Sequence, residues 1–327
     1  MNRRALLLGL MGVGLGAHQL RSAAGFPNRP LTLILPFEEA THVGMTALLL
    51  RPYLEAALRQ RIDFDVHSGG DGEAGHNVGA AAAADGYTLT IVSNPLALKY
   101  WLSTASVATP ASFTFLGQIT AVPNVLLVRA DSPFATTRDL VDALRARPDS
   151  LTTGGQPSWW PASAMTRALF CRMAGIQPRI DQAYYYTSQL LFDLARGQLD
   201  FAFAGTNDLR SPPPVLGLRA LAVSSTARLP ALPDTPTFRE QGWDLTMRWW
   251  HGLAVPRDTP DAIVAQLSRA LSSALASPDL QVNFARNGLT VDPLDGPALA
   301  TRVADEYQTA GKLFAALGLN RRLNKPM

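Results

Sequence analysis

Cysteine and histidine are scarce in this chain of 327 residues, which contains one cysteine and five histidines. Cys171 stands alone, so an internal disulfide framework is excluded, and its surroundings, ALFCRMAG, are typical of a buried thiol in a helix. Beyond the N-terminal leader described below, the histidines are His42, His67, His76 and His251, and none has the His-x-x-x-His spacing of a helical zinc site. No G-x-S-x-G motif of a serine hydrolase occurs. The sequence therefore favours neither a metal site nor an enzyme, and it predicts no cofactor.

Apolar runs long enough to cross a bilayer, which takes roughly 20 residues, are also missing. The N-terminus instead has Arg3 and Arg4, an apolar stretch over 5–17 and the small residues Ser22, Ala23 and Ala24. This order is typical of a secretory leader. We therefore predict a signal peptide over residues 1–24, cleaved near Ala24, and a periplasmic mature protein. The paired arginines leave export by either the general or the twin-arginine route open.

An excess of positive charge is absent once the predicted leader is removed. The whole chain has 29 Lys and Arg against 26 Asp and Glu. Arg3, Arg4 and Arg21 leave with the leader, which makes the two totals equal. Nucleic acids and anionic membranes are bound through clustered positive charge, so neither is expected as a partner.

Strand-like and helix-like segments alternate along the remaining 300 or so residues. Continuous apolar runs at 31–36, 88–92, 125–128 and 201–204 are typical of buried strands, and helical spacing lies between them. This order predicts an α/β fold whose sheets are mostly parallel and flanked by helices. About 300 residues exceed one hydrophobic core, so two lobes are expected. Pro52 is expected to kink or divide the helix over 45–60.

Several longer motifs carry a resemblance to a known family. They are LRALAVSSTARLPALPDTPTFREQG at 218–242, ADGYTL at 84–89, LTLILPF at 31–37, LLVRADSPFATTRDLVDALRARPDSL at 126–151, GQLD at 197–200 and the stretch 252–278. In order and spacing the chain resembles the tripartite tricarboxylate transporter substrate-binding proteins, also called Bug or TctC-like periplasmic receptors. The resemblance implies a two-lobed, monomeric binding protein that captures a small, usually carboxylated molecule and presents it to membrane permease subunits. It also implies lobe 1 at 27–125 and 231–327, and lobe 2 at 126–230.

Candidate ligand-binding residues follow from the rule that small molecules bind beyond the carboxyl ends of parallel strands, near helix N-termini. The loops chosen by that rule contain no Lys or Arg, so an anion there would depend on neutral donors, helix dipoles or bridging water. The predicted residues are Phe37, Glu38, Ala40, Thr41, His42, Ser93, Asn94, Gly155, Ser158, Trp159, Trp160, Ser163, Tyr184, Thr187 and Asn207. Backbone and hydroxyl groups would hold the ligand, with Trp159 and Tyr184 as walls.

Two of these loops depart from the family pattern. Ala40 and Thr41 occupy the usual glycine pair and Gly44 falls near the usual aspartate, which weakens the expectation of carboxylate binding there. Glu38 and Glu39 are either solvated surface groups or point into the site. If either points into the site, it would repel an anion or select an amine. In the facing loop Trp159 and Trp160 replace small residues, which favours an aromatic or hydrophobic acid over citrate.

Other interpretations of the same residues remain open at this point. One tryptophan of the 159–160 pair could equally pack in a hinge between the lobes. Ser93 with Asn94 also fits an ordinary turn. The pair Trp249 and Trp250 favours packing in the core or in a hinge. The glycine-rich stretch GGDGEAGHNVG lacks a phosphate-loop lysine, so a nucleotide site is not favoured. Two alternatives to a transport receptor remain: an orphan sensor that feeds a signalling partner, and a periplasmic hydrolase.

Overall fold

The computed structural model describes residues 25–155, 162–184, 186–209, 213–316 and 318–321. Its strands are β1 (Leu31–Leu35), β2 (Ile62–Val66), β3 (Thr88–Ser93), β4 (Phe113–Arg129), β5 (Thr152–Gly155), β6 (Arg179–Ala183), β7 (Phe201–Gly205), β8 (Leu218–Val223), β9 (Arg248–Pro256) and β10 (Val291–Asp295). Its helices are α1 (His42–Leu58), α2 (Glu73–Ala81), α3 (Pro95–Leu102), α4 (Thr137–Ala146), α5 (Ala162–Ala174), α6 (Thr187–Ala195), α7 (Asp261–Leu275), α8 (Pro278–Arg286) and α9 (Gly296–Ala316). The fold is α/β, as predicted.

One long strand, β4, joins two sheets. Its first half, up to Pro123, pairs antiparallel with β9 and β10, and its second half, from Asn124, pairs antiparallel with β7 and β8. On the first side β2, β1 and β3 run parallel and β3 continues to β9, while on the second side β7, β5 and β6 run parallel. The predicted parallel strands thus form the outer part of each sheet, and antiparallel strands form the middle of the molecule.

The second half of β4 shows why a continuous apolar run belongs in this position. Successive side chains of a strand point to opposite faces. Leu126 and Val128 pack with Phe170, Phe201 and Phe203, whereas Val125 and Leu127 pack with a leucine-rich layer of α6 on the other face. Helices therefore cover both faces of this sheet.

Pro52 does not divide the helix, because α1 runs through it from His42 to Leu58. Proline removes one backbone donor and crowds the carbonyl four residues earlier, which here belongs to Leu48. The Leu48 side chain is exposed, so this part of the helix faces water, which can bond a displaced carbonyl. Among the described residues no helix combines the length and apolar character needed to cross a membrane.

Candidate functional site

A cavity of about 130 Å³ lies where β4 passes from one sheet to the other. Its lining comes from both halves of the fold: His42, Val122, Asn124, Ser163, Thr187, Gly205, Asn207, Asp208, Trp249, His251 and Leu289. Val122 and Asn124 are two residues apart on β4 and so face the same side of the strand. The long strand thus forms the floor of the cavity.

Asn124 is fixed at this floor by several hydrogen bonds. Its backbone N–H donates to the Ser224 hydroxyl over 2.8 Å, and its side-chain amide donates to Thr166 Oγ1 over 2.8 Å. The side chain is almost fully buried. Since buried polar groups that are hydrogen-bonded hold one orientation, Asn124 offers the cavity a fixed polar surface.

Two helices begin at the cavity from the side of the second sheet. Ser163 lies in the first turn of α5, and Thr187 is the first residue of α6. Tyr186, which precedes α6, makes no side-chain bond to the first turn of the helix. The first N–H groups of a helix have no partner within it and carry partial positive charge. Hydroxyl groups and helix donors therefore converge on this side.

The carboxyl end of β7 supplies Asn207 and Asp208 through the short turn Thr206–Asp208. The Gly205 N–H donates to the Asp208 carboxylate over 3.1 Å, which fixes that turn. Asn207 reaches across the cavity, where its Nδ2 lies 3.4 Å from Nδ1 of His42, the first residue of α1. Asn207 and His42 therefore bring the two sides of the cavity into contact.

Trp249 and His251 lie on the same face of β9 and are joined by a hydrogen bond. The Trp249 indole N–H donates to His251 Nε2 over 2.6 Å, so this nitrogen carries the lone pair. His251 Nδ1 lies 2.8 Å from Thr46 Oγ1, and the Thr46 hydroxyl donates to the backbone carbonyl of His42 over 2.8 Å. Burial, with a smaller contribution from the charge of His42, lowers the pKa of His251 to about 3. His251 is therefore neutral, with its proton on Nδ1.

Four of the residues predicted to bind the ligand lie together at this cavity: His42, Ser163, Thr187 and Asn207. Gly155 ends β5, the strand that leads towards α5. Ser158, Trp159 and Trp160 lie outside the described residues.

The remaining predicted residues of the first loop have local structural contacts. Phe37 packs against Gly72, where an added Cβ would lie 2.8 Å from its ring. Glu38 accepts a hydrogen bond from the Ser68 hydroxyl, and Ala40 is exposed. Thr41 caps α1, accepting from the Gly44 N–H over 3.2 Å. A ligand carboxylate would therefore compete with the Thr41 side chain for that N–H group.

Ser93, Asn94 and Tyr184 are not among the described residues that line the cavity. Ser93 is fully buried, and its hydroxyl has no hydrogen-bond partner among the described residues. The Asn94 amide donates to the Arg248 carbonyl over 3.0 Å and to the Glu306 carboxylate over 3.2 Å, and its oxygen accepts from the backbone N–H of Trp250. Tyr184 is buried and donates to Asp193 over 2.9 Å. Asn94 and Tyr184 thus stabilise the fold through internal bonds, and Trp249 is an aromatic residue that lines the cavity.

The residues predicted to bind the ligand did not include Val122, Asn124, Gly205, Asp208, Trp249, His251 and Leu289, although Gly205 begins one of the loops chosen by the rule for parallel sheets. The apolar run of β4 was predicted only at 125–128, so its passage between the sheets was not apparent. Trp249 was expected in the core or a hinge, and it is Trp250 that is fully buried. Among the described residues no group of three or more His, Cys, Asp or Glu side chains is arranged to hold a metal ion.

The family model described as tripartite tricarboxylate transporter family receptor matches residues 53–319. The chain belongs to this family. Protein BugT of Bordetella pertussis is 28% identical over 321 residues, which cover 94% of the chain and 95% of BugT. A TctC solute-binding protein from Polaromonas, solved without ligand, superposes with a TM-score of 0.82 at 20% identity, over 89% of this chain and 99% of the other. Rpa4515 of R. palustris, solved with adipate, superposes at 0.70 with 26% identity, over 90% of this chain and 98% of the other.

Membership of this family accounts for the two sheets and the cavity between them. Proteins of this family are solute-binding receptors with the two-lobed periplasmic binding protein fold. In such folds the ligand lies between the lobes, and the two lobes close around it. The cavity of this receptor lies at that position, beside the strand that its two sheets share.

Proposed function

We propose that this receptor is exported to the periplasm, captures one small carboxylated molecule in the cavity between its sheets, and delivers it to the permease subunits of a tripartite transporter. The convergence of the α5 and α6 first turns, with Ser163 and Thr187, supports carboxylate capture. Hydroxyl groups, N–H groups and helix N-termini all stabilise an anion. Adipate, the molecule present in the Rpa4515 structure, is a carboxylate.

The export step rests on the N-terminal sequence alone, because residues 1–24 lie outside the described residues. The lobe boundaries that we propose remain 27–125 with 231–327, and 126–230. The pairing of β4 changes between Pro123 and Asn124, close to the first boundary. A receptor of this kind would act as a monomer.

Calorimetric titration with a panel of carboxylic acids tests ligand capture. A hydrogen bond to a charged group contributes about 1.5–3 kcal/mol, so Ser163→Ala and Thr187→Val are each expected to weaken binding about 10- to 100-fold. Ser273→Ala, an exposed serine of α7, is the matched control and should leave affinity unchanged. If both cavity variants bound every acid as tightly as the wild type, the assignment of these hydroxyl groups would be wrong.

Delivery is tested by uptake of a labelled acid in cells that lack the receptor gene. Restoring the wild-type gene should restore uptake, and the Ser163→Ala, Thr187→Val double variant should restore it only at high external concentration. Uptake that needs no receptor at any concentration would contradict the transport role.

A further inference from the structure

The end of β9 that reaches the cavity is held on one side by a side chain in place of a strand. The ladder between β3 and β9 stops at the pair Ser93 and His251, because β3 ends at Ser93. Asn94, the next residue, continues this ladder. Its side-chain amide donates to the Arg248 carbonyl over 3.0 Å, and its side-chain oxygen accepts from the backbone N–H of Trp250 over 3.0 Å. A strand beside β9 would offer the same donor and acceptor.

The two peptide groups that Asn94 binds lie on either side of Trp249. The Arg248 carbonyl belongs to the peptide bond before Trp249, and the Trp250 N–H belongs to the peptide bond after it. On its other side β9 pairs with β4, where Pro123 is opposite Arg248. Proline has no backbone N–H, so β4 has one donor fewer at this point. The backbone of Trp249, a residue of the cavity lining, therefore depends on Asn94 for its position.

Asn94 is oriented in turn by a buried carboxylate on α9. Its amide nitrogen also donates to Glu306 over 3.2 Å. Glu306 accepts two further hydrogen bonds, from the Trp250 indole N–H over 2.8 Å and from Arg302 Nε over 3.2 Å. An ionised carboxylate only accepts hydrogen bonds, so Glu306 keeps the nitrogen of the Asn94 amide on its own side. The oxygen of that amide is then left for the backbone of β9.

We propose that Asn94 is a positioning residue for ligand capture. It holds the part of β9 from which Trp249 and His251 reach the cavity, and Glu306 keeps its amide in the orientation that this requires. The proposal rests on the proposed function and adds to it two residues that are not among the described lining residues. Ligand affinity then depends on α9 and on the end of β3 as well as on the groups that the ligand touches.

A second asparagine of the chain provides a matched control. The Asn77 side chain, on α2, donates to the Ala105 carbonyl over 3.0 Å and accepts from the N–H groups of Val107 and Ala108 over 3.1 and 2.9 Å. Asn94→Ala and Asn77→Ala therefore each remove a side chain that binds the backbone of another segment. Both are expected to lower the urea midpoint of unfolding, and only Asn94→Ala is expected to weaken ligand binding.

Calorimetric titration with adipate, malate and benzoate measures the effect on binding. In metal sites, removal of the residue that orients a ligand weakens binding about 10- to 100-fold, and we expect a loss of about tenfold for Asn94→Ala. Asn77→Ala should bind the same acids as tightly as the wild type. Equal affinities in all three proteins, or equal losses in both variants, would overturn the proposal.

Fluorine NMR of receptor labelled with fluorotryptophan tests the position of Trp249 without any ligand. Its resonance is identified by its loss in Trp249→Phe. This resonance is expected to shift or broaden in Asn94→Ala and to stay unchanged in Asn77→Ala, and a resonance unchanged in both would overturn the proposal. If the wild type bound none of the acids, the proposed function would be contradicted, whereas this resonance would still decide whether Asn94 positions Trp249.

Glu306→Gln is a milder variant that keeps the size of the side chain. One of its two terminal atoms becomes an NH₂ group, which cannot accept the hydrogen bonds that Glu306 accepts now. It is expected to weaken binding in the same direction as Asn94→Ala and to shift the Trp249 resonance. Asp305→Asn, the neighbouring exposed carboxylate on α9, is its control and should change neither. Equal effects of the two substitutions would remove Glu306 from the proposal.

Discussion

Two histidines of this receptor are buried in their neutral form. Burial lowers the pKa of His76 from 6.5 to about 3, and burial together with the charge of His42 lowers the pKa of His251 to the same range. In the unfolded chain both take up a proton near pH 6.5, whereas in the folded protein they do so only near pH 3. Unfolding therefore takes up protons between these pH values. Stability is complete above about pH 6.5 and falls as the pH drops towards 3.

His76 allows this effect to be measured away from the cavity. Its Nε2 has no hydrogen-bond partner among the described residues, so His76→Phe removes a titrating group without removing a bond at that atom. Between about pH 7.5 and 5, each histidine is expected to remove about 2 kcal/mol from the free energy of unfolding. The variant should therefore lose about 2 kcal/mol less than the wild type over this range, measured by urea denaturation. Parallel pH profiles for the two proteins would show that His76 is not neutral in the native state.

At the scale of single elements, helix α1 begins with a side-chain cap from Thr41. Thr41 Oγ1 accepts from the Gly44 N–H over 3.2 Å and donates to the Glu38 carbonyl over 2.7 Å. Loss of such a cap costs about 1 kcal/mol of stability. Thr41→Ala is therefore expected to lower the free energy of unfolding by about this amount, measured by urea denaturation.

Thr301→Ala on α9 is the matched control for the cap. Its hydroxyl donates to the carbonyl of Pro297 inside the same helix over 3.1 Å, and a bond of this type contributes little to helix stability. Equal destabilisation by both substitutions would indicate that the Thr41 cap has no special role. A larger loss for Thr41→Ala would confirm it.

Strands and helices with a clear pattern of apolar residues were predictable from the sequence, and those in which apolar, charged and turn-forming residues are mixed were not. β1 and the second half of β4 are continuous apolar runs buried on both faces, so they were found. β10 carries Asp292, Pro293 and Asp295 and is partly exposed, which is typical of a loop. α3 follows directly after β3, and Asn94 with Pro95 suggested a turn, although proline is also common in a first helical turn.

The same distinction applies to the cavity. Ser163, Thr187 and Asn207 follow strands or begin helices, and the rule for parallel sheets places such residues at the binding edge. Val122, Trp249 and His251 lie inside β4 and β9, two strands that no rule for parallel sheets describes. Their place at the cavity depends on how the antiparallel strands cross between the sheets, which is a property of the whole chain.

At the scale of the molecule, the contact between His42 and Asn207 offers a way to hold the two sides together. Cys171 is the single cysteine, and burial raises the pKa of its thiol to about 11, so it reacts slowly with thiol reagents at neutral pH. A double variant, His42→Cys with Asn207→Cys, can therefore be joined selectively by a short bifunctional maleimide. If the ligand enters between the two sides, cross-linking is expected to slow both its association and its release by roughly tenfold or more in stopped-flow measurements.

Each single variant treated with the same reagent controls for the loss of the native side chain. The cross-linked product is identified by its intact mass. Association and release rates that remain equal in the cross-linked and untreated double variant would place the entrance for the ligand elsewhere.

The uninterrupted strand β4 also limits how this protein can be divided into fragments. Its residues 113–123 complete one sheet and its residues 124–129 complete the other, so a gene truncated on either side of it leaves a sheet with an open edge. Open edges recruit other chains and promote aggregation. Swapping whole halves between relatives to exchange their ligand preferences would therefore need a shared β4, and grafting individual lining side chains is the safer route to a redesigned receptor.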